Sequence, residues 1–146
     1  THHHPGIVQL LAVVETARHH FLFEEYVTGL DLLSYVERQS TGRLDERRAH
    51  RIFRQVVAIL GFIHELNIAH RDVKLDNFMV AGIDDEGEKL RVVLIDFGLA
   101  VRMEKAHSTP CGSPAYTGLR GWEVGRWWLL EWEMRVGVVE YGWDGS

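Results

Sequence analysis

Apolar residues follow two patterns along the chain, one typical of strands and one typical of helices. Runs rich in β-branched and aromatic residues at 7–16 and 21–27 flank a polar turn. Such runs are typical of strands, so we predict an antiparallel hairpin that is broken at Gly29. A continuous apolar run at 92–96 predicts a buried strand that ends in an acid, and residues 78–80 predict a shorter one.

Two stretches between these groups of strands show helical spacing of apolar residues. One predicts a short helix over 30–39, and the other predicts a long helix over 44–66. Asp45 is expected to cap the long helix, and Glu46 suits the dipole of its first turn. Seven apolar positions predict a stripe wide enough for burial on more than one side: Ile52, Phe53, Val56, Val57, Ile59, Leu60 and Ile63.

The remaining stretches are polar or irregular. Residues 81–91 read as a polar hairpin loop, and residues 101–116 predict a long irregular loop, which is usually functional or disordered.

Residues 118–146 hold all five tryptophans and many Gly, Glu, Val and Arg residues, whose codons are rich in G. We expect this tail to derive from a frame or intron that does not normally encode the domain. The alternative is an unusual but genuine C-terminal segment.

Composition limits the class of protein. A length of 146 residues suits one domain with its own core. A net charge of −5 without a basic block argues against nucleic acid as the main partner. No apolar run is long enough to span a bilayer, so no membrane partner is expected. The single cysteine, Cys111, excludes an internal disulfide and favours an intracellular location, cytoplasmic or nuclear.

Candidate chemistry is concentrated in two segments. IAHRDVKLDNFMV, residues 68–80, places Asp72, Lys74 and Asn77 within six residues, and LIDFGLA, residues 94–100, adds Asp96. A carboxylate can orient an attacking hydroxyl, a cation can face a phosphate, and hard oxygen ligands can hold magnesium. The combination predicts the handling of a phosphate with bound Mg2+.

HRDVKLDN followed by a strand and DFG resembles the catalytic centre of eukaryotic protein kinases. The resemblance implies that Asp72 is the catalytic base and that Lys74 contacts the γ-phosphate, as in the serine/threonine class. It implies that Asn77 and Asp96 are the metal ligands. ATP and Mg2+ are then the expected cofactors, and a protein with Ser or Thr hydroxyls is the expected substrate.

FLFEEYVTGLDL, within residues 21–32, resembles the fifth strand and the hinge of the same family. The resemblance implies that backbone groups of Glu25 and Val27 meet adenine, that Asp31 lies near the ribose and that Met79 forms the floor under adenine. Glu24 falls at the gatekeeper position, which is usually apolar or Thr. This departure puts the usual shape of the adenine pocket in question.

STPCGSPAYT, residues 108–117, resembles the end of an activation loop of the calcium/calmodulin-dependent and AMP-activated branch. Thr109 lies where that branch is phosphorylated by an upstream activating kinase, and a phosphate there would pair with Arg71. An unmodified loop threonine is the alternative. Ser113 matches a hydroxyl that contacts the catalytic Asp and Lys, and His70 and Phe97 match a stacked apolar pair.

The resemblance covers about residues 4–117. We therefore expect a partial kinase-like α+β domain over 1–117, with a small-lobe hairpin remnant and the first part of the helical large lobe. The sequence shows no Gly-rich phosphate loop, third-strand lysine or Ala-Pro-Glu motif. We expect a kinase fragment with weak or no activity. The alternatives are a pseudokinase-like binding or regulatory module and a non-functional gene-model product.

Overall fold

A computed structural model describes residues 3–82, 90–105 and 111–113 of the chain. Short strands come before, between and after two helices, which confirms the α+β class. The elements in chain order are β1 (Leu10–Glu15), β2 (His20–Glu24), β3 (Leu30–Asp31), α1 (Leu32–Glu37), α2 (Glu46–Glu65), β4 (Ile68–Ala69), a 3-10 turn (Leu75–Asn77), β5 (Phe78–Ala81), β6 (Arg91–Leu94), β7 (Val101–Arg102) and a second 3-10 turn (Met103–Lys105).

Strands β1 and β2 form the predicted antiparallel hairpin, in which Val13 pairs with Leu22. Thr16 closes its turn, because its hydroxyl accepts a hydrogen bond from the His19 amide at 3.0 Å. Both strands are shorter than the apolar runs. Every residue of both strands is exposed, so neither face of this hairpin packs against another described element.

Strand β3 occupies the start of the predicted helix at 30–39. Leu30 pairs with Val80, and Asp31 pairs with Met79. Asp31 stays extended because its carboxylate caps α1 by accepting from the Ser34 amide at 2.8 Å. The helix therefore begins at Leu32, two residues later than the spacing predicts.

Helix α2 is the long helix that the sequence predicts, and Asp45 caps it by accepting from the Arg48 amide at 2.9 Å. Its fully buried residues are few: Ile52, Ile59 and Ile63. Phe53 is 54% exposed. The expectation of burial on more than one side is therefore wrong for the described residues, where the sheet covers one face of the helix.

A second sheet, in the order β3-β5-β6, packs against this face of α2 and forms the core. Strands β5 and β6 are antiparallel, with Phe78 opposite Leu94 and Val80 opposite Val92. The chain before the hairpin also joins this sheet, because Leu94 donates to the Gly6 carbonyl at 2.8 Å. The sheet thus includes the end of the first candidate segment, in β5, and the start of the second, at Leu94.

A third pairing joins β4 to β7. It corrects the prediction that residues 101–116 are wholly irregular, since Val101 and Arg102 pair with Ala69 and Ile68. A strand of two residues shows no alternation in the sequence. The predicted loop at 81–91 is shorter than expected, because Ala81 belongs to β5 and Arg91 to β6. Its residues 83–89, Thr109 and the tail at 118–146 lie outside the described residues. Of the helices in the described part of the chain, none is long and apolar enough to cross a membrane.

Candidate active site

The candidate catalytic loop runs from β4 to β5 and is held in a strained conformation. Arg71 has a φ of 67°, in the left-handed region that side chains with a Cβ rarely adopt. Its guanidinium Nε donates to the Leu99 carbonyl at 2.7 Å. Such backbone strain costs about 1–3 kcal/mol and persists only where the surroundings enforce it, as at functional sites.

Asp72 lies at the centre of a polar cluster. Its Oδ1 accepts from the backbone amide and the hydroxyl of Ser113, both at 2.8 Å. Its Oδ2 is 3.0 Å from Lys74 Nζ and accepts from Asn77 Nδ2 at 3.2 Å. Lys74 Nζ also donates to the Ser113 hydroxyl at 3.0 Å. The structure therefore brings together four of the predicted site residues, which are separated by up to 41 positions in the sequence.

These contacts set the charge of the cluster. Burial raises the pKa of Asp72, but hydrogen bonds from Lys74, Ser113 and Asn77 outweigh it and hold that pKa at about 2. The hydrogen bond with Asp72 raises the pKa of Lys74. The pair is therefore ionised at neutral pH. Because a carboxylate with so low a pKa is a weak proton acceptor, Asp72 is better suited to orienting a hydroxyl than to storing its proton.

His70 connects the two candidate segments. It is buried, its Nδ1 accepts from the Asp72 amide at 3.3 Å, and its ring meets Phe97 edge to face at 5.2 Å. Burial lowers the pKa of His70 and outweighs the opposing effects of Asp96 and of the charge on Asp72. Nε2 has no hydrogen-bond partner among the residues that the structure describes. The imidazole is thus neutral, and the structure places His70 and Phe97 together.

Asn77 and Asp96 lie next to one another across the β5–β6 hairpin. The Ile95 amide donates to the Asn77 carbonyl at 3.0 Å, and Asp96 follows directly. Asn77 is buried and turns its Nδ2 towards Asp72, while Asp96 is exposed and accepts from the Gly98 amide at 2.8 Å. An amide oxygen and a carboxylate are hard ligands that fit Mg2+.

No group of three or more His, Cys, Asp or Glu side chains that could hold a metal occurs among the described residues. A magnesium ion bound by Asn77 and Asp96 would therefore take its other ligands from water and phosphate. This is the usual arrangement for Mg2+ at nucleotide sites. The residues present fit the ion that the sequence predicts.

The profile of the protein kinase domain family matches residues 1–118 of this chain. The chain belongs to the protein kinase family. The hairpin, α2 and the catalytic loop are accordingly parts of a kinase fold, as the HRDVKLDN and DFG segments predicted.

Curated relatives include serine/threonine kinases from distant organisms. The chain is 39% identical over 118 residues to CBL-interacting protein kinase 16 of Oryza sativa subsp. japonica, covering 77% of this chain and 24% of that protein. It is 39% identical over 116 residues to the meiosis-specific serine/threonine-protein kinase mek1 of Schizosaccharomyces pombe, covering 78% and 25%. It is 40% identical over 115 residues to a probable myosin light chain kinase of Dictyostelium discoideum, covering 77% and 35%. The chain thus spans about a quarter to a third of the length of these kinases.

Glu25 and Val27, two of the predicted nucleotide-binding residues, follow the end of β2. The Glu25 amide donates to the Gln9 carbonyl at 2.9 Å, and the Glu25 side chain accepts from the Gln9 amide at 3.1 Å. The Glu25 amide is therefore engaged with the residue that precedes β1. Val27 is half-buried, and Glu24, at the gatekeeper position, is exposed at the end of β2.

Asp31 and Met79 lie side by side in the β3–β5 pairing. Both carboxylate oxygens of Asp31 accept from Ser34, at 2.8 Å from its amide and 2.6 Å from its hydroxyl. The Ser34 hydroxyl is the main cause of the lowered pKa of Asp31. A ribose hydroxyl would therefore share an oxygen that already caps α1, which each carboxylate oxygen can do because it has two lone pairs.

Gln55 is a residue of the site region that the sequence pattern does not predict. Gln55 of α2 bonds to the backbone of β6, with Nε2 donating to Leu90 and Oε1 accepting from Val92. The available signal was a polar side chain three positions after Ile52 and four before Ile59, on the buried face of the helix. The motifs that predict the site, such as HRDVKLDN and DFG, do not include residue 55.

Proposed function

We propose that this chain carries the phosphoryl-transfer centre of a serine/threonine protein kinase, which moves the γ-phosphate of ATP to a protein hydroxyl. The supporting observation is the contact of Asp72 with a hydroxyl. Ser113 Oγ lies 2.8 Å from the carboxylate and 3.0 Å from Lys74 Nζ. An incoming substrate hydroxyl needs the same two neighbours, a carboxylate to orient it and a cation beside the phosphate.

The proposed roles follow the chemistry of each group. Asp72 orients the attacking hydroxyl, and Lys74 supplies positive charge where the transferred phosphate develops negative charge. Asn77 and Asp96 hold Mg2+, which when bound neutralises phosphate charge. His70 is neutral and buried, and it keeps the catalytic loop against Phe97.

The nucleotide would lie along the hinge. Its adenine would meet backbone groups of Glu25 and Val27, with Met79 below the ring and Asp31 near the ribose. Phosphorylation of Thr109 by an upstream kinase would place a dianion that pairs with Arg71 and orders the loop. We propose an intracellular site of action, in the cytoplasm or the nucleus.

We expect these 146 residues alone to have weak or no activity. The sequence offers no Gly-rich loop and no third-strand lysine to hold the α- and β-phosphates. Positioning of this kind can supply about 7–11 kcal/mol of barrier reduction, so its loss is severe. The chemistry is therefore best tested in a complete domain.

The first prediction concerns Asp72 in a chimera, in which residues 68–100 replace the matching segment of an active serine/threonine kinase. The chimera should phosphorylate a peptide in a Mg2+-dependent manner, and Asp72→Asn should lower kcat by about 10²–10⁴-fold. Asp76→Asn is the matched control, because Asp76 is an exposed carboxylate of the same loop, and it should keep most of the activity.

Two outcomes would contradict the proposal. An inactive but folded chimera would remove the support for catalysis and favour a pseudokinase-like binding module. Equal losses from Asp72→Asn and Asp76→Asn would deny Asp72 its role. The isolated 146-residue chain, assayed alongside, should show no turnover above its own Asp72→Asn variant, and robust turnover would disprove the expected weakness.

A further inference from the structure

The outer edge of β2 is not paired in the part of the chain that the structure describes, where its sheet consists of two strands. The Glu25 amide donates to the residue before β1 at 2.9 Å, and the His19 carbonyl accepts from the residue after β1 at 2.8 Å. Both residues thus point their backbone groups towards β1. Because successive residues of a strand point these groups to opposite edges, the N–H and C=O groups of His20, Leu22 and Glu24 point outwards.

The other edge of the hairpin, on β1, is less suited to pairing with a further strand. The register between β1 and β2 shifts between Leu10 and Ala12, where β1 carries one extra residue. Such a bulge bends a strand and disturbs its edge, which protects it from pairing. Residues 20–24 of β2 pair in unbroken order. The regular, exposed edge of β2 is therefore the place where a further strand fits.

The sequence of β2 is complementary to itself. It reads His-Phe-Leu-Phe-Glu from His20 to Glu24. When two copies of β2 lie antiparallel with Leu22 opposite Leu22, Phe21 lies opposite Phe23 and His20 lies opposite Glu24. Two-fold symmetry gives each of the unlike pairs twice. Aromatic pairs and pairs of opposite charge directly across an antiparallel ladder are stabilising, so the side chains favour this register.

The backbone favours the same register. Pairing centred on Leu22 sets the outward-pointing groups of His20 opposite those of Glu24, and each pair of facing residues can exchange both of its hydrogen bonds. A shift by one residue would set these groups opposite residues that point towards β1. A shift by two residues would restore the ladder but would place Leu22 opposite His20 or Glu24, and the pairs of His20 with Glu24 would be lost.

The imidazole of His20 can serve both neighbouring strands. Its Nδ1 lies 3.2 Å from Oε1 of Glu15 on β1, and both side chains are exposed. Nε2 is the second nitrogen of the ring, and a protonated imidazole donates from both nitrogens. His20 can therefore bond Glu24 of a second copy while it keeps its contact with Glu15.

We propose that β2 is an interface for a second copy of this chain, and that two copies join by antiparallel β2–β2 pairing centred on Leu22. The two-fold pairing uses the open edge of β2 in both copies, so it closes as a dimer rather than growing into a fibre. The proposal does not depend on the proposed function, because none of these residues belongs to the catalytic loop.

The second prediction tests the register by disulfide cross-linking of the full 146-residue chain, with Cys111→Ser to remove the native thiol. Leu22→Cys should yield a cross-linked dimer, because the two Cα atoms would lie about 5.5 Å apart, which a disulfide can span. Phe21→Cys alone and Phe23→Cys alone should yield little, since each position faces the other one. A mixture of these two variants should cross-link, as seen by electrophoresis without reductant.

Charge reversal tests the ends of the interface, with sedimentation equilibrium as the readout. Glu24→Lys should raise the Kd of the dimer by about tenfold or more, because lysine accepts no hydrogen bond from His20 and repels its charged form at both ends. The additional change His20→Glu should restore dimerisation, since opposite charges then face each other again. Glu37→Lys, at the exposed end of α1, changes the net charge equally and should leave the Kd unchanged.

A chain that sediments as a monomer at all concentrations would overturn the proposal. Equal cross-linking of the three single-cysteine variants would also overturn it, because the copies would then associate through the faces of the hairpin without a fixed register. Slow hydrogen exchange of the Leu22 amide in a monomer would show that another part of the same chain covers the edge. Failure of the charge exchange to restore dimerisation would refute the pairing of His20 with Glu24. If Glu24→Lys does not fold, the cross-linking pattern decides.

Discussion

The backbone conformation of Gly29 determines how the residues that follow it pair with β5. Its φ is 145°, in a region that is almost confined to glycine, and a Cβ built there overlaps the Val80 carbonyl. The close approach allows Leu30 and Asp31 to pair with β5. Asp31 is thereby placed beside Met79, as the proposed nucleotide site requires.

The third prediction is that Gly29→Ala destabilises the chain. The strained φ alone costs about 1–3 kcal/mol, and the overlap of the new Cβ with the backbone adds to this loss of unfolding free energy. Urea unfolding at neutral pH measures the effect. Gly61→Ala is the control, because a Cβ there meets nothing within 4 Å and Gly61 lies inside α2. It should stabilise the helix by up to about 1 kcal/mol. The same sign for both variants would contradict the account of Gly29.

The fourth prediction concerns His70, whose pKa is lowered by burial. In the unfolded chain its pKa returns to about 6.5. The unfolded state therefore binds more protons as the pH falls through 6.5. The contribution of His70 to stability is present above this pH and is lost below it, with a slope of at most about 1.4 kcal/mol per pH unit.

Urea unfolding from pH 7.5 to 5.5 should therefore show a steeper loss of stability in the unmodified chain than in His70→Phe. Removing the exposed imidazole of His50 by His50→Gln controls for the number of histidines. Parallel pH profiles for the unmodified chain and His70→Phe would show that His70 is not held neutral by the fold.

At the scale of elements, the sequence predicted what local forces determine. Helix α2 combines a cap at Asp45 with a regular apolar spacing, so its bounds were correct within two residues. Strands β3 and β7 have two residues each, and pairing with distant residues, Met79 and Ile68 among them, creates them. No periodicity can reveal such strands, because the stabilising contacts are not local.

The candidate site also has features that the sequence predicts and contacts that it does not. The motif spacing of HRDVKLDN predicted the residue types around Asp72, since the chemistry requires them within a short loop. It did not predict that Ser34 engages both oxygens of Asp31, nor that Gln55 holds β6. These contacts depend on how a helix end and a strand edge meet, which the one-dimensional pattern does not contain.

At the scale of the whole molecule, the described chain has two parts that differ in burial. Around α2, β5 and β6, large side chains such as Phe78 and Leu94 are fully buried. In the β1–β2 hairpin, large apolar side chains are between 47% and 64% exposed: Leu10, Leu11, Val13, Val14, Phe21, Leu22 and Phe23. Two strands without a covered face contribute little stability of their own, and their apolar surface promotes association between molecules.

The fifth prediction uses this contrast. Val13 and Leu22 are cross-strand partners that are 49% and 64% exposed, whereas Val80 and Val92 are cross-strand partners that are at most 1% exposed. The double variant Val13→Lys, Leu22→Glu should aggregate less in light scattering. Its unfolding free energy should change by no more than about 0.5 kcal/mol, because surface substitutions are nearly neutral.

The same exchange at the buried pair, Val80→Lys with Val92→Glu, should abolish cooperative melting, because two charges would enter the core. The comparison therefore separates exposed apolar surface from buried surface, because both variants introduce the same two charged side chains. If the hairpin variant also lost its cooperative transition, the faces of β1 and β2 would have to be covered in solution. The hairpin would then contribute to the core that supports the catalytic loop, and the difference in burial between the two parts would not hold in solution.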